Sequence, residues 1–205
     1  MADTEGFELL MHRHVPAQSV AYCTRLWEQY PFHFKVTNTR KTKAGDFRFR
    51  QSSGYTITVN HDLNPYAFLL TYIHEVAHLI VWDQKGRKVK PHGQEWKATF
   101  KNLILPLLNP QVFPNELLPL LARYFKNPKA STYSDKPLYL GLRKYDANPT
   151  DQPMLQDLSI NSTFKFNNRV FVLEAFRRTK VLCKDTANNK QYLIAKIANV
   201  ELIPI

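Results

Sequence analysis

Cysteine is scarce in this chain of 205 residues, which has only Cys23 and Cys183. Two thiols so far apart in sequence argue against a disulfide framework and a cysteine-based metal knuckle, and a reducing, cytoplasmic setting is expected. Long apolar runs are also lacking. None approaches the roughly 20 residues that span a bilayer, so no membrane partner is expected. The opening MADTEGFELLMHRH carries early acids and has no basic-then-apolar order, so it does not read as a secretory signal. Internal repeats and low-complexity tracts are missing too. A hydrophobic fraction of 44% remains, enough for one ordinary domain with a small appendage, and a monomer is the favoured state.

Acidic residues are outnumbered, 17 Asp and Glu against 28 Lys and Arg, for a net charge of +11. The excess is uneven. Between residues 31 and 50, Lys35, Arg40, Lys41, Lys43, Arg48 and Arg50 face Asp46 as the lone acid. Such a concentration suits a polyanion, of which nucleic acid is the commonest, although a solvated basic face has the same composition.

Periodicity divides the chain into an α+β portion and a later β portion. AQSVAYCTRLWEQY (17–30) has helical spacing and is stopped by Pro31. HFKVTN (33–38) and DFRFRQ (46–51) alternate like strands joined through TKAG, and GYTITVN (54–60) is a third, β-branched strand. HDLNPYAFLLTYIHEVAHLIVWDQ then reads as a long apolar helix, with Asn64 as N-cap and Pro65 at its first position. A basic loop KGRKVKP leads to a helix opening at HGQEWKATF, and FPNELLPLLARYF (113–125) offers another. The expected organisation is a core over 1–126, a linker over 127–158 with one short helix near Leu138–Tyr145, and a small all-β module over 159–205. The expected fold class is therefore α+β, a small antiparallel or mixed sheet packed on helices.

The chemistry concentrates in TYIHEVAHLIVW (71–82), which contains His74-Glu75-x-x-His78. On a helix, residues four apart lie on one face one turn up, so the two imidazoles can converge on a single ion at about 2.0–2.1 Å. Glu75 lies 100° around the helix, where it can act as general base on a water without ligating the metal. The competing reading is a pair of satisfied core histidines. Yet the neighbours Ile73, Val76, Ala77, Leu79 and Ile80 are apolar, and three ionisable groups among them would be costly unless something held them. A catalytic zinc usually takes three protein ligands. His92, fourteen residues after His78 at the mouth of the next helix, is the favoured third ligand, with Gly93 allowing the chain to turn. Glu95 is the competitor, or else a helix-start acid.

GYTITVNHDL, LLTYIHEVAHLIVW and HGQEWKATF together resemble the SprT-like zinc metallopeptidases, whose best known eukaryotic relative is the DNA–protein crosslink protease Spartan. The resemblance covers roughly residues 16–125, including a K-x-x-x-G turn at Lys41–Gly45. It implies zinc bound by His74, His78 and His92, with Glu75 as the base. Many members add a four-cysteine zinc ribbon, which this chain cannot build. The β module at 159–205 stands in its place, either as a nucleic-acid or substrate platform or as a cap on the core.

The leading expectation is a zinc endopeptidase acting on DNA-associated or DNA-crosslinked proteins. YTITVN is a candidate edge strand for an extended peptide, with an interior strand as the equal alternative. Lys41, Lys43, Arg48 and Arg50 would form a basic ridge holding phosphates without sequence choice. A different class is a nucleic-acid-binding or adaptor protein with a zinc site and little peptidase activity. A third is a metallohydrolase acting on a non-protein amide.

Overall fold

The structure is a computed structural model that describes residues 4–40, 43–147, 152–178 and 180–203. The chain divides into two compact units, residues 1–147 and 148–205.

The first unit opens with helix α1 (Thr4–His12), which periodicity did not single out. Its nine residues bury Phe7 and Met11, one turn apart, and the Phe7 ring stacks on Trp27 at 4.5 Å. Helix α2 (Val20–Gln29) follows a single 3-10 turn. Strands β1 (His33–Thr37), β2 (Gly45–Arg50) and β3 (Gly54–Asn60) form one sheet in the order β1-β3-β2. β1 and β2 are neighbours in sequence but not in space. β3 lies between them, parallel to β1 and antiparallel to β2. YTITVN is therefore the interior strand, and β1 and β2 are the edge strands of the sheet. The sheet is mixed, its cross-strand register setting Phe47 beside Ile57 and Phe49 beside Tyr55.

Helix α3 (Pro65–Lys85) is the axis of this unit. Its start carries the expected punctuation: Pro65 at the first position, and the Asn64 side chain accepting the Ala67 amide at 3.0 Å. The Asn64 amide group also donates to Leu142 O at 2.9 Å and Asp146 Oδ1 at 2.7 Å, tying the helix start to a distant part of the chain. Eleven of its residues are buried, Glu75 among them. Helix α4 (Gln94–Ile104) packs along it and contributes Trp96, Phe100 and Ile104 to the core. Helices α5 (Leu118–Lys126) and α6 (Lys136–Arg143) complete the unit. α6 is the short helix expected near Leu138–Tyr145 within the linker stretch, and it packs on α5 and buries Leu138 and Leu142 in the first core.

The second unit is a five-stranded antiparallel sheet in the order β7-β6-β5-β4-β8. Its strands are β4 (Thr163–Phe166), β5 (Arg169–Phe176), β6 (Lys180–Asp185), β7 (Gln191–Ala195) and β8 (Glu201–Leu202). It has its own core of Leu155, Phe164, Phe171, Leu173, Val181, Cys183, Ile194 and Val200. Asn167 and Asn168 both take positive φ, 50° and 62°, as a two-residue hairpin loop between β4 and β5 requires. No helix among the described residues is long and apolar enough to cross a membrane.

Candidate active site

Three imidazoles meet where α3 passes the start of α4. His74 and His78 project from successive turns of α3, and His92 reaches them from the loop before α4. Their Nε2 atoms lie 3.1 Å apart for His74–His78, 3.0 Å for His78–His92 and 3.3 Å for His74–His92. Nitrogens held tetrahedrally at about 2.0–2.1 Å from one ion would be about 3.3–3.4 Å from each other, so the cluster is close to that geometry. Mutual hydrogen bonding is a poor alternative explanation. Three ring nitrogens facing one point cannot each find a well-aligned partner among themselves.

Electrostatics point the same way. Burial, reinforced by the neighbouring His78 and His92, pushes His74 well below the ordinary imidazole value. Burial, then His92, lowers His78 to about 4, and burial lowers His92 as well. All three are therefore neutral at pH 7 and present lone pairs, the state a metal requires. The donor set could hold a metal ion. Glu95 does not belong to it: the side chain is exposed in the first turn of α4.

Trp96 forms the floor. Its ring lies 4.6 Å from His74, 5.3 Å from His78 and 4.7 Å from His92, and its Nε1 donates to His74 O at 3.4 Å. His92 carries φ of 58°, a left-handed conformation that costs a non-glycine residue about 1–2 kcal/mol. The turn thus falls on His92 itself. Gly93 serves a different end from the one expected of it: a Cβ there would stand 2.9 Å from Lys90 O.

Glu75 is 6% exposed and faces β2. Burial raises its pKa to about 8, with the nearby Asp46 adding to the effect, while the Phe47 amide donating to the carboxylate, Arg40 and Lys43 oppose it. A divalent cation beside it would further favour the carboxylate form. Gly45 makes this approach possible, since a Cβ would lie 2.6 Å from Glu75 Oε1 and 2.6 Å from Thr71 Cγ2. Together, α3, the α4 start and the free edge of β2 enclose a cleft of about 1000 Å³ that reaches from Arg40 to Thr132.

The basic segment is arranged less simply than its composition suggests. Lys41 lies outside the described residues. Lys43 pairs with Asp46 at 2.7 Å, and Arg48 pairs with the same carboxylate. Burial alone would raise Asp46; hydrogen bonds from Lys43 and Arg48 outweigh it and hold the carboxyl below its ordinary value. Arg40 is spent on structure, donating to Asn60 Oδ1 at 2.8 Å and Thr58 Oγ1 at 2.9 Å. Arg50 is exposed and enters no ion pair among the described residues. Sequence reading missed the roles of Trp96 and Gly45. Their signals were an aromatic one turn after His92 and a glycine at the start of the strand facing the metal helix.

Comparison with known proteins points to one family. The model of the SprT-like family matches residues 18–112, a range that contains β1 to β3 and all four residues of the His-Glu cluster. The chain is 37% identical over 84 residues to Protein SprT of Salmonella arizonae, and 36% identical over 84 residues to Protein SprT of Escherichia coli K12. Protein SprT of Cronobacter sakazakii is 37% identical over the same length. Each alignment covers 39% of this chain and 48% of the relative, so the chain spans about half the length of the curated relatives it matches. No solved structure matches. With the family's match enclosing the three imidazoles, the buried glutamate and the strand that faces them, residues 18–112 of the chain are an SprT-like domain.

Proposed function

We propose that this protein is a zinc-dependent endopeptidase acting on DNA-associated or DNA-crosslinked proteins. The observation carrying this reading is the convergence of three neutral imidazole nitrogens within 3.3 Å of one another, one residue away from a buried carboxylate, inside an open cleft. His74, His78 and His92 are the zinc ligands in this account and Glu75 is the base. Zinc held there would supply Lewis acidity, polarising a scissile carbonyl and acidifying water. Glu75, fixed by the Phe47 amide, takes the proton from the attacking water and passes it to the leaving amine.

The DNA element rests on charge. Arg48 and Arg50 alternate with Phe47 and Phe49, so they face away from α3, and with Lys41 and Lys43 they are the proposed phosphate contacts. A second platform is favoured by a separate observation. In the second unit, Arg177, Arg178 and Lys180 crowd one hairpin end, with the Arg177 amide donating to Lys180 O, and none of the three pairs with an acid among the described residues.

The test is a survey of substrates, free peptides and DNA-bound proteins, with zinc-loaded protein in the presence and absence of DNA. Glu75→Gln runs in parallel. Cleavage that requires Glu75 and is greater for DNA-bound protein supports the proposal. DNA binding with no Glu75-dependent hydrolysis would replace it with the adaptor reading, and hydrolysis of non-protein amides alone with the metallohydrolase reading.

A further inference from the structure

One end of the cleft is built for more than holding a backbone. His74, His78 and Trp82 succeed one another at four-residue intervals, so they form a single stripe along α3 with Trp82 about 6 Å beyond His78. β2 runs beside this stripe in the same direction. Gly45 lies against Thr71 and Glu75, the Phe47 amide meets Glu75, and Phe49 reaches Trp82 at 5.9 Å.

The pairing of β2 with β3 fixes which backbone groups of β2 face the cleft. Hydrogen-bonding direction alternates along a strand, and Ala44 O accepts from the Asn60 amide on the β3 side. The N–H and C=O groups of Gly45, Phe47 and Phe49 therefore point outward. A peptide added to this edge would project alternate side chains to the face that carries Phe47 and Phe49, the same face as the buried Ile57. That face looks onto the histidine–tryptophan stripe.

Waiting there is an aromatic shelf. Phe47 lies 6.3 Å from Trp82 and 6.0 Å from Tyr55, and Phe49 lies 5.3 Å from Tyr55. Tyr55 is anchored by its hydroxyl, which donates to Asp83 Oδ1 at 2.7 Å. Phe49 nevertheless remains 44% exposed, an unusual exposure for a phenylalanine so surrounded by rings. The exposed part belongs to the cleft wall.

We infer that Phe49 and Trp82, backed by Phe47 and Tyr55, form a side-chain subsite that selects a bulky aromatic residue of an extended peptide. The occupied position is within about two residues of the scissile bond, because two residues of strand, Phe47 to Phe49, span about 6–7 Å. This assignment rests on the peptidase reading above, and it adds the substrate class. Aromatic rings prefer offset or edge-to-face partners, and the shelf offers rings at both inclinations.

The experiment has two arms. In the first, zinc-loaded protein digests a mixture of random peptides, and the cleavage sites are mapped by mass spectrometry. Aromatic residues should be enriched at one fixed position near the cut. For a matched pair of peptides with Phe or Ala there, the kcat/KM ratio should be at least about tenfold, as expected for an apolar subsite. Phe49→Ala should bring that ratio close to one, and Phe49→Leu should leave it intermediate. No enriched position, or an unchanged ratio in Phe49→Ala, overturns the inference. In the second arm, the same pair binds to the Glu75→Gln protein, read by fluorescence anisotropy. If no peptide is cleaved at all, the peptidase reading fails, while tighter binding of the Phe peptide that disappears with Phe49→Ala still supports the subsite. Equal binding of both peptides overturns it. Thermal unfolding of each variant checks that the half-exposed ring was not holding the core.

Discussion

In the proposed reaction Glu75 bears the heaviest chemical demand of any residue in the cleft, and its surroundings explain its burial. The Phe47 amide holds the carboxylate, and Gly45 leaves it room. Glu75→Gln preserves size, so metal should stay bound while hydrolysis falls by roughly 10²–10⁴ or more, the usual share of general-base catalysis. Unchanged turnover, measured on purified variant, would remove Glu75 from that role. Gly45→Ala makes a subtler test. A methyl group 2.6 Å from Glu75 Oε1 and from Thr71 must displace one of them. Metal content should be retained, but activity should fall by about 10- to 100-fold, because small misplacements of a reacting group are costly. Normal activity in that variant would show that Glu75 has slack it does not display. His74, Glu75 and His78 were legible in sequence because helical spacing converts directly into geometry, whereas His92 was read from its place before the next helix. Gly45 and Trp96 were less so, since what they touch is set by how β2 and α4 dock on α3.

At the scale of elements, the long helix was readable because each signal agreed: Asn64, Pro65 and an apolar run. Asn64 proves to do more than cap. It joins the start of α3 to Leu142 O and Asp146 at the end of α6. Asn64→Ala should therefore cost more than the typical cap value of about 1 kcal/mol, roughly 2–3 kcal/mol once a buried carbonyl loses its donor. Urea unfolding measures this, and a loss below about 1 kcal/mol would mean that water replaces the bridge. One helix resisted sequence reading for a physical reason. α1 is short and buries only Phe7 and Met11, too few positions to establish a period. α6 was expected as a short helix near Leu138–Tyr145, but its setting among Pro, Asn and Ser did not reveal that Leu138 and Leu142 join the first core. Strand order was hidden as well. Alternation identifies strands but not their partners, so β3 could equally be an edge or a centre until its long-range pairing with β1 was seen.

For the whole molecule, the two units have separate cores and separate reserves of positive charge. The proposed DNA contacts therefore divide cleanly between variants. Arg48→Ser with Arg50→Ser should weaken DNA binding and reduce the slope of log K against log salt by roughly 0.7–0.9 per lost phosphate contact. The Phe face of β2 is untouched by these changes, so cleavage of a short free peptide should persist. Deleting residues 150–205 addresses the second unit. If that truncation abolishes DNA binding while the double serine variant binds normally, the ridge on β2 is only a solvated face, with Asp46 neutralising much of it. Composition raised the expectation of a polyanionic partner, but it could not foresee that one carboxylate would engage both Lys43 and Arg48. The metal content of the whole chain is the most direct measure of the central claim. Elemental analysis of the purified protein should find one zinc per chain, retained in Glu95→Ala and largely lost in His92→Ala. Equal zinc in the two variants, or none in the parent protein, would contradict a centre made by His74, His78 and His92.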